Sequence, residues 1–89
     1  MSKYRLLYSE QAEADIKYFK EEAPQLCDKI KHLLEEIEEH PLTGTGKPER
    51  LKYNYSGYMS RRINLEHRLM YVIDEENKNV YIYSLCGHY

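Results

Sequence analysis

Tryptophan is absent from this sequence, and phenylalanine occurs only once. A core without those large apolar rings must be built from aliphatic side chains and from tyrosine. Tyrosine occurs ten times and carries a hydroxyl that needs a partner when buried. Much of the apolar surface is therefore expected to be partly wet or to serve as a working surface. Long apolar runs are missing as well: no stretch approaches the roughly 20 residues that cross a bilayer, and MSKYRLLYSE is charged from residue 3. The chain is expected to be cytoplasmic, with no membrane among its partners. Cysteine is scarce, and Cys27 and Cys86 have neither CxxC nor zinc-like spacing. That points to buried thiols not joined in a disulfide, in a reducing compartment. Repeats, low-complexity tracts and linker-like segments are also lacking. Residues 1–89 read as one small domain with a modest margin of stability.

What is present is a charge asymmetry beneath a formal net charge of -2. Residues 1–42 set six basic side chains against ten acidic ones. Residues 43–73 set Lys47, Arg50, Lys52, Arg61, Arg62 and Arg68 against only Glu49 and Glu66. A locally basic middle in an acidic protein fits a polyanion site confined to one face. The plain alternative is a solvated mixed-charge surface. The tyrosines interleaved with those cations favour the polyanion: Tyr53, Tyr55 and Tyr58, with Tyr89 at the chain's end, supply aromatic faces for unstacked bases while the cations meet a backbone.

Periodicity predicts the scaffold. Residues 3–8, KYRLLY, are a short strand candidate, and Ser9 is a plausible N-cap for a helix on which Ala12, Ile16, Phe19 and Ala23 share a face. Pro24 suits a first helical position. A second helix is expected from about there to His40, with Leu26, Ile30, Leu33, Leu34 and Ile37 as its apolar stripe. HPLTGTGKPE, residues 40–49, breaks the helix and reads as a loop. From residue 57 the period becomes two: GYMSRRI, a polar NLEH turn, RLMYVI, a DEENKN hairpin turn, then VYIYSLCGHY. The expected fold class is α+β, with two helices from the N-terminal half packed on one face of a mostly antiparallel sheet. The other face would hold the basic and aromatic residues. Alternation sets Tyr58, Ser60 and Arg62 on one face and Met59, Arg61 and Ile63 on the other, where Arg61 would pack through its stem.

Three residues invite chemistry. His88 stands beside the end of the chain after a strand-like run. Its side-chain type titrates near neutrality, as a general acid must, although a loose terminal side chain or a metal ligand with Cys86 also fits. Glu49 opens the basic segment, where surrounding cations would keep a base ionised, or it is a surface carboxylate. Arg68 begins an otherwise apolar strand. It is either an edge residue paired with Glu66 or a guanidinium placed to stabilise charge on a phosphoryl group.

The blocks GTGKPERLK, SGYMSRRI and EHRLMY, followed by the terminal HY, resemble the YoeB/Txe branch of the RelE-type toxins of bacterial type II toxin-antitoxin systems. All four stand in that family's order and spacing, and YSEQAEADIKYF fits its first strand and helix. The resemblance implies a microbial RNase-like, RelE-like fold and a ribosome-dependent endoribonuclease that cuts mRNA in the decoding site and inhibits translation. Carried over, Glu49 is the general base, Arg68 stabilises the transition state and His88 is the general acid. Lys52, Arg62, Glu66 and Tyr89 support the site or contact RNA. No metal and no cofactor are implied. The implied partners are a cognate antitoxin of YefM/Axe type, the ribosome and mRNA, with a homodimer allowed. Gly87 departs from the family, which often has a bulky or basic residue before the final His-Tyr. A glycine there loosens the backbone that aims His88. A non-catalytic RNA or ribosome binder, or a module that only holds an antitoxin, would share the same basic aromatic face.

Overall fold

Ser9 starts the first helix as its sequence predicts, since its side chain accepts a hydrogen bond from the Ala12 N–H at 2.9 Å and its backbone is extended. The structure is a computed structural model describing residues 3–87. Strand β1 is Arg5–Tyr8, helix α1 Glu10–Glu22, helix α2 Cys27–Glu39, β2 Glu49–Arg50, β3 Met59–Arg62, β4 Arg68–Asp74 and β5 Asn79–Ser84. The five strands form one sheet in the order β1-β5-β4-β3-β2. The three pairings from β2 to β5 are antiparallel, and β1 runs parallel to β5. Both helices pack on one face, so the α+β architecture is the expected one.

Helix α2 buries Ile30, Leu33 and Ile37 from its predicted stripe, and α1 buries Ala12 and Phe19. These meet Met59, Ile63, Leu69, Tyr71, Val80, Ile82 and Leu85 in a single core. Each large aliphatic side chain among them, and Phe19, contributes about 1.5–3 kcal/mol when removed from water. Three boundaries differ from expectation. Pro24 begins a short 3-10 turn, Pro24–Leu26, so the α-helix proper starts only at Cys27. At the end of the predicted loop, Glu49 and the following Arg50 add a fifth strand, because their backbones pair with Ser60 and Met59. The last strand ends at Ser84 rather than running to the terminus.

Arg61 departs most from its expected role. It lies on the helix side of the sheet as alternation requires, but its whole side chain is buried, head included, at 0% exposure. A buried guanidinium is costly unless every donor is met. Here Nε donates to the Tyr71 hydroxyl at 3.0 Å. Nη1 donates to Glu36 Oε1 at 3.1 Å and the Thr45 carbonyl at 3.4 Å. Nη2 donates to the carbonyls of His40 and Thr43 at 2.5 and 2.6 Å. The Tyr71 hydroxyl in turn donates to the Pro41 carbonyl at 2.6 Å. Arg61 is therefore a polar hub that nails the loop after α2 to the sheet, and its head contributes as much as its stem.

Glu36 closes the same knot from α2. Its carboxylate accepts from the Thr45 N–H at 2.7 Å and the Thr45 hydroxyl at 2.8 Å, and His32 Nε2 lies 2.8 Å away. The Thr45 backbone N–H is the chief cause of a carboxyl held below its ordinary value. The Thr45 hydroxyl, His32 and Arg61 add to that effect against the opposing influence of burial.

Arg61→Met should cost about 3–5 kcal/mol, because it strands loop carbonyls and unpairs Glu36, and urea unfolding measures it. The Glu36 contribution has a definite pH sign. A carboxyl depressed by folding stabilises fully above its unfolded value of about 4.3, and that stabilisation fades as pH falls through the folded value. The stability gap between wild type and Glu36→Gln should narrow as pH falls below about 4. A gap that widens in acid would contradict the assignment.

Candidate active site

Strand register decides which of the candidate residues meet. Glu49 on β2 stands opposite Ser60 on β3, and Arg62 on β3 stands opposite Arg68 on β4. Opposed residues share a face, and so do residues two apart on one strand. Glu49, Ser60, Arg62 and Arg68 therefore all project from the side of the sheet away from the helices. Arg68 reaches diagonally across: Nη1 donates to Ser60 Oγ at 3.0 Å, and Nη2 donates to Glu49 Oε1 at 3.3 Å. It is not an edge residue paired with Glu66, because β4 is the middle strand and its carboxylate partner is Glu49.

The loop that delivers Glu49 is held at several points. Arg61 and Glu36 fix residues 40–45, and the Arg62 N–H then donates to the Gly46 carbonyl at 2.6 Å. Gly46 has φ +86, and a Cβ there would stand 2.9 Å from the Arg62 carbonyl oxygen, so no side chain fits. The glycine at this point of the GTGKPE block is thus a packing requirement that lets the chain lie against β3 before β2 begins.

The Glu49 side chain is 55% exposed and that of Arg68 is 17% exposed. The arginine is thus fixed from below by Ser60 while the carboxylate stays open to an incoming group. An open carboxylate beside a held guanidinium can accept a proton and stabilise negative charge within one contact distance. Ser60, buried beneath the guanidinium, is a site residue that the sequence motifs alone do not single out. The alternation that puts it on the Arg62 face is the signal that could find it.

The other sequence-predicted residues are less closely gathered. Lys52 is exposed just before the 3-10 turn Tyr53–Tyr55. Glu66 is 78% exposed in the β3–β4 turn, with Oε1 3.8 Å from His67 Nε2. His88 and Tyr89 lie outside the described residues. The residue preceding them does not: the Gly87 carbonyl accepts from the Arg68 N–H at 3.0 Å. The chain that carries His88 is therefore tied to the backbone of the residue that carries the guanidinium. Cys27 and Cys86 are both half-buried and form no disulfide. Burial above all, then the Asp15 charge and a hydrogen bond with Asp15, push the Cys86 thiol up to about 11, so it stays protonated at neutral pH. Among the described residues no group of three or more His, Cys, Asp or Glu is placed to hold a metal ion, and no helix is long and apolar enough to cross a membrane.

Of the tyrosines expected to form an aromatic surface, Tyr58 lies on the open face, where Tyr81 and Tyr83 join it. Tyr58 packs edge-on against Tyr55 and Tyr83, with ring centroids 6.2 and 5.3 Å apart. Tyr58, Tyr81 and Tyr83 line a trough there with Val72, and Tyr53 is 91% exposed beyond it. Aromatic and cationic groups thus share one side of the sheet.

A family model described as the YoeB-like toxin of bacterial type II toxin-antitoxin system matches residues 8–89. The chain belongs to this family. The Toxin YoeB of Synechocystis is 40% identical over 85 residues, which cover 96% of each chain. The solved YoeB dimer from Staphylococcus aureus is 44% identical with a TM-score of 0.85, covering 97% of this chain and 98% of that one. Identity and coverage are the same for the YoeB-YefM complex from Staphylococcus aureus, at a TM-score of 0.83. As a YoeB-family toxin, the chain keeps its family blocks on the two strand pairs and the turn that build this site.

An ion pair this exposed contributes little to folding, about 0–1 kcal/mol. Glu49→Gln should therefore shift the free energy of unfolding by less than about 1 kcal/mol, in contrast to Arg61→Met. A loss comparable to that of Arg61→Met would show that the pair is a structural strut.

Proposed function

We propose that this chain is a ribosome-dependent endoribonuclease that cleaves mRNA in the decoding site and so arrests translation. The observation that carries the proposal is the Glu49–Ser60–Arg68 constellation beside the anchored approach to His88. RNA brings its own nucleophile. Glu49 takes the proton of the 2'-hydroxyl, the 2'-oxygen bonds to phosphorus, and the bond from phosphorus to the 5'-oxygen breaks. Arg68 stabilises the charge that develops on the phosphoryl oxygens, and His88 delivers a proton to the departing 5'-oxygen. The products are a 2',3'-cyclic phosphate and a free 5'-hydroxyl. No step calls for a metal or a cofactor.

The supporting residues have graded roles. Arg62 and Lys52 meet the RNA backbone, Tyr89 offers an aromatic face, and Glu66 supports the site from the turn. Glu49 is open to solvent, so a substrate must be held against the site from outside. The ribosome, which presents mRNA in a fixed path, supplies that restraint, and it also places the reaction in the cytoplasm. A toxin of this kind needs a neutralising partner. The YoeB-YefM complex from Staphylococcus aureus supports a cognate YefM/Axe-like antitoxin for this chain too, and the YoeB dimer supports a homodimer. The basic stretch between residues 43 and 73 gives an acidic partner segment its electrostatic target.

Glu49→Gln and His88→Gln should each reduce single-turnover mRNA cleavage on translating ribosomes by at least about a hundredfold, the usual scale of general acid and base contributions. Arg68→Gln should lower turnover more than it weakens ribosome binding, whereas Arg62→Gln should weaken binding and reduce its salt sensitivity. A 2'-deoxy nucleotide at the scissile position should block cutting altogether. Cleavage of that substrate would sink the 2'-attack mechanism. Ribosome stalling without cuts would favour a non-catalytic binder, and no effect on translation would favour a module that only holds an antitoxin.

A further inference from the structure

After Ser84 the chain leaves the sheet, and three separate elements hold residues 85–87. From α1, the Asp15 carboxylate accepts from the Leu85 N–H at 2.8 Å, and Asp15 is itself buried at 5% exposure. From β4, the Arg68 N–H donates to the Gly87 carbonyl at 3.0 Å. From the turn before β4, His67 Nδ1 accepts from the Gly87 N–H at 3.0 Å. The imidazole is seated for this task. Its side chain is 15% exposed, and its ring stands edge-on to Phe19 with centroids 5.1 Å apart and an interplanar angle of 88°. Asn64 Oδ1 accepts from the backbone N–H groups of Glu66 and His67 and so shapes the turn that presents the ring.

We propose that His67 is a positioning residue for the cleavage site: its imidazole clasps the Gly87 amide and thereby fixes the backbone to which His88 is joined. The inference rests on the assignment of His88 as general acid. Gly87 has φ +89 and open space where a Cβ would be, so the residue by itself restrains the backbone little. The bonds at its N–H and its carbonyl supply the restraint that its side chain cannot. His67 thus offsets the freedom that a glycine introduces before the final His-Tyr. The clasp fixes the ring's chemistry too. An N–H donor requires Nδ1 without a proton, so the ring is the neutral form protonated at Nε2, the nitrogen that faces Glu66 Oε1 at 3.8 Å.

The test uses side chains that keep or lose the acceptor. Asparagine places an amide oxygen near the position of Nδ1. Phenylalanine keeps the ring against Phe19 with nothing to accept. In the free protein, the Gly87 amide should exchange slowly in wild type and in His67→Asn and fast in His67→Phe. Nitrogen chemical shifts of wild type should show Nδ1 bare and Nε2 protonated. On translating ribosomes, His67→Phe should lower the cleavage step about ten- to a hundredfold with ribosome binding unchanged, as expected when a reacting group is misplaced by about 1 Å, and His67→Asn should recover most of that loss. The proposal is overturned if the wild-type Gly87 amide is unprotected, if Nδ1 carries the proton, or if His67→Phe loses Gly87 protection yet cleaves at the wild-type rate. Failure of the nuclease reading itself looks different. Wild type would then cut no mRNA, and backbone relaxation of His88 would decide the clasp alone: greater order in wild type and His67→Asn than in His67→Phe supports it, and equal disorder in all three overturns it.

Discussion

One buried guanidinium sets the geometry on which the rest depends. Arg61 commits all five of its N–H donors to groups that come from α2, from the loop after it and from β4. Any one of these partners missing would leave a charge or a carbonyl stranded in the interior, so the loop has one arrangement that satisfies them all. Burial raises the Tyr71 hydroxyl above its ordinary value while Arg61 pulls the other way, which keeps that hydroxyl a donor to Pro41. Among the described residues no buried side-chain nitrogen or oxygen is left without a partner. The consequence reaches the surface: a loop pinned at residues 40–45 and again at Gly46 can enter β2 in only one register, and that register brings Glu49 opposite Ser60.

The arginines of β3 and β4 divide the labour by face. Arg61 is enclosed and structural, with the desolvation cost of its head offset by its hydrogen bonds. Arg62 and Arg68, one residue on and one strand over, project from the other side, where charge can meet charge from outside. A rigid sheet beneath an exposed acid-cation pair is the arrangement expected when binding and chemistry, rather than stability, keep those residues in place. The tyrosines are divided in the same way. Tyr71 is in the core with its hydroxyl bonded, while Tyr58, Tyr81 and Tyr83 cover the open face, so one residue type serves both as core and as working surface.

Much of this is legible in the sequence because it is local. The Ser9 cap, the stripes of α1 and α2 and the alternation of β3 are each written within a few residues, and each appears where its pattern lies. The site's residue types are legible as a motif, with Glu49 and Arg68 brought into contact on the expected face. Asp15 and His67 are not legible in the same way. Asp15 sits on a helix whose other acids are solvated, and it is buried where its carboxylate accepts from the Leu85 N–H, 70 residues later. His67 reads as part of a polar turn, since nothing in NLEH announces that Phe19 will pack on one side of its ring and Gly87 will meet its nitrogen.

The sequence by itself determined the two α-helices and the four longer strands, which face of each is apolar and which residue types stand in family order. Periodicity and capping depend only on near neighbours, and such neighbours are fixed by the chain. Only the tertiary structure decided that two adjacent arginines have opposite fates, that Glu49 and Arg50 form an edge strand, that β1 runs parallel to β5 and that the chain's last described residue is clasped from both sides. The physical reason is common to all four. A charged side chain or a polar backbone group can be buried or paired only if a partner arrives from elsewhere, and the identity of that partner is a property of the fold rather than of the segment.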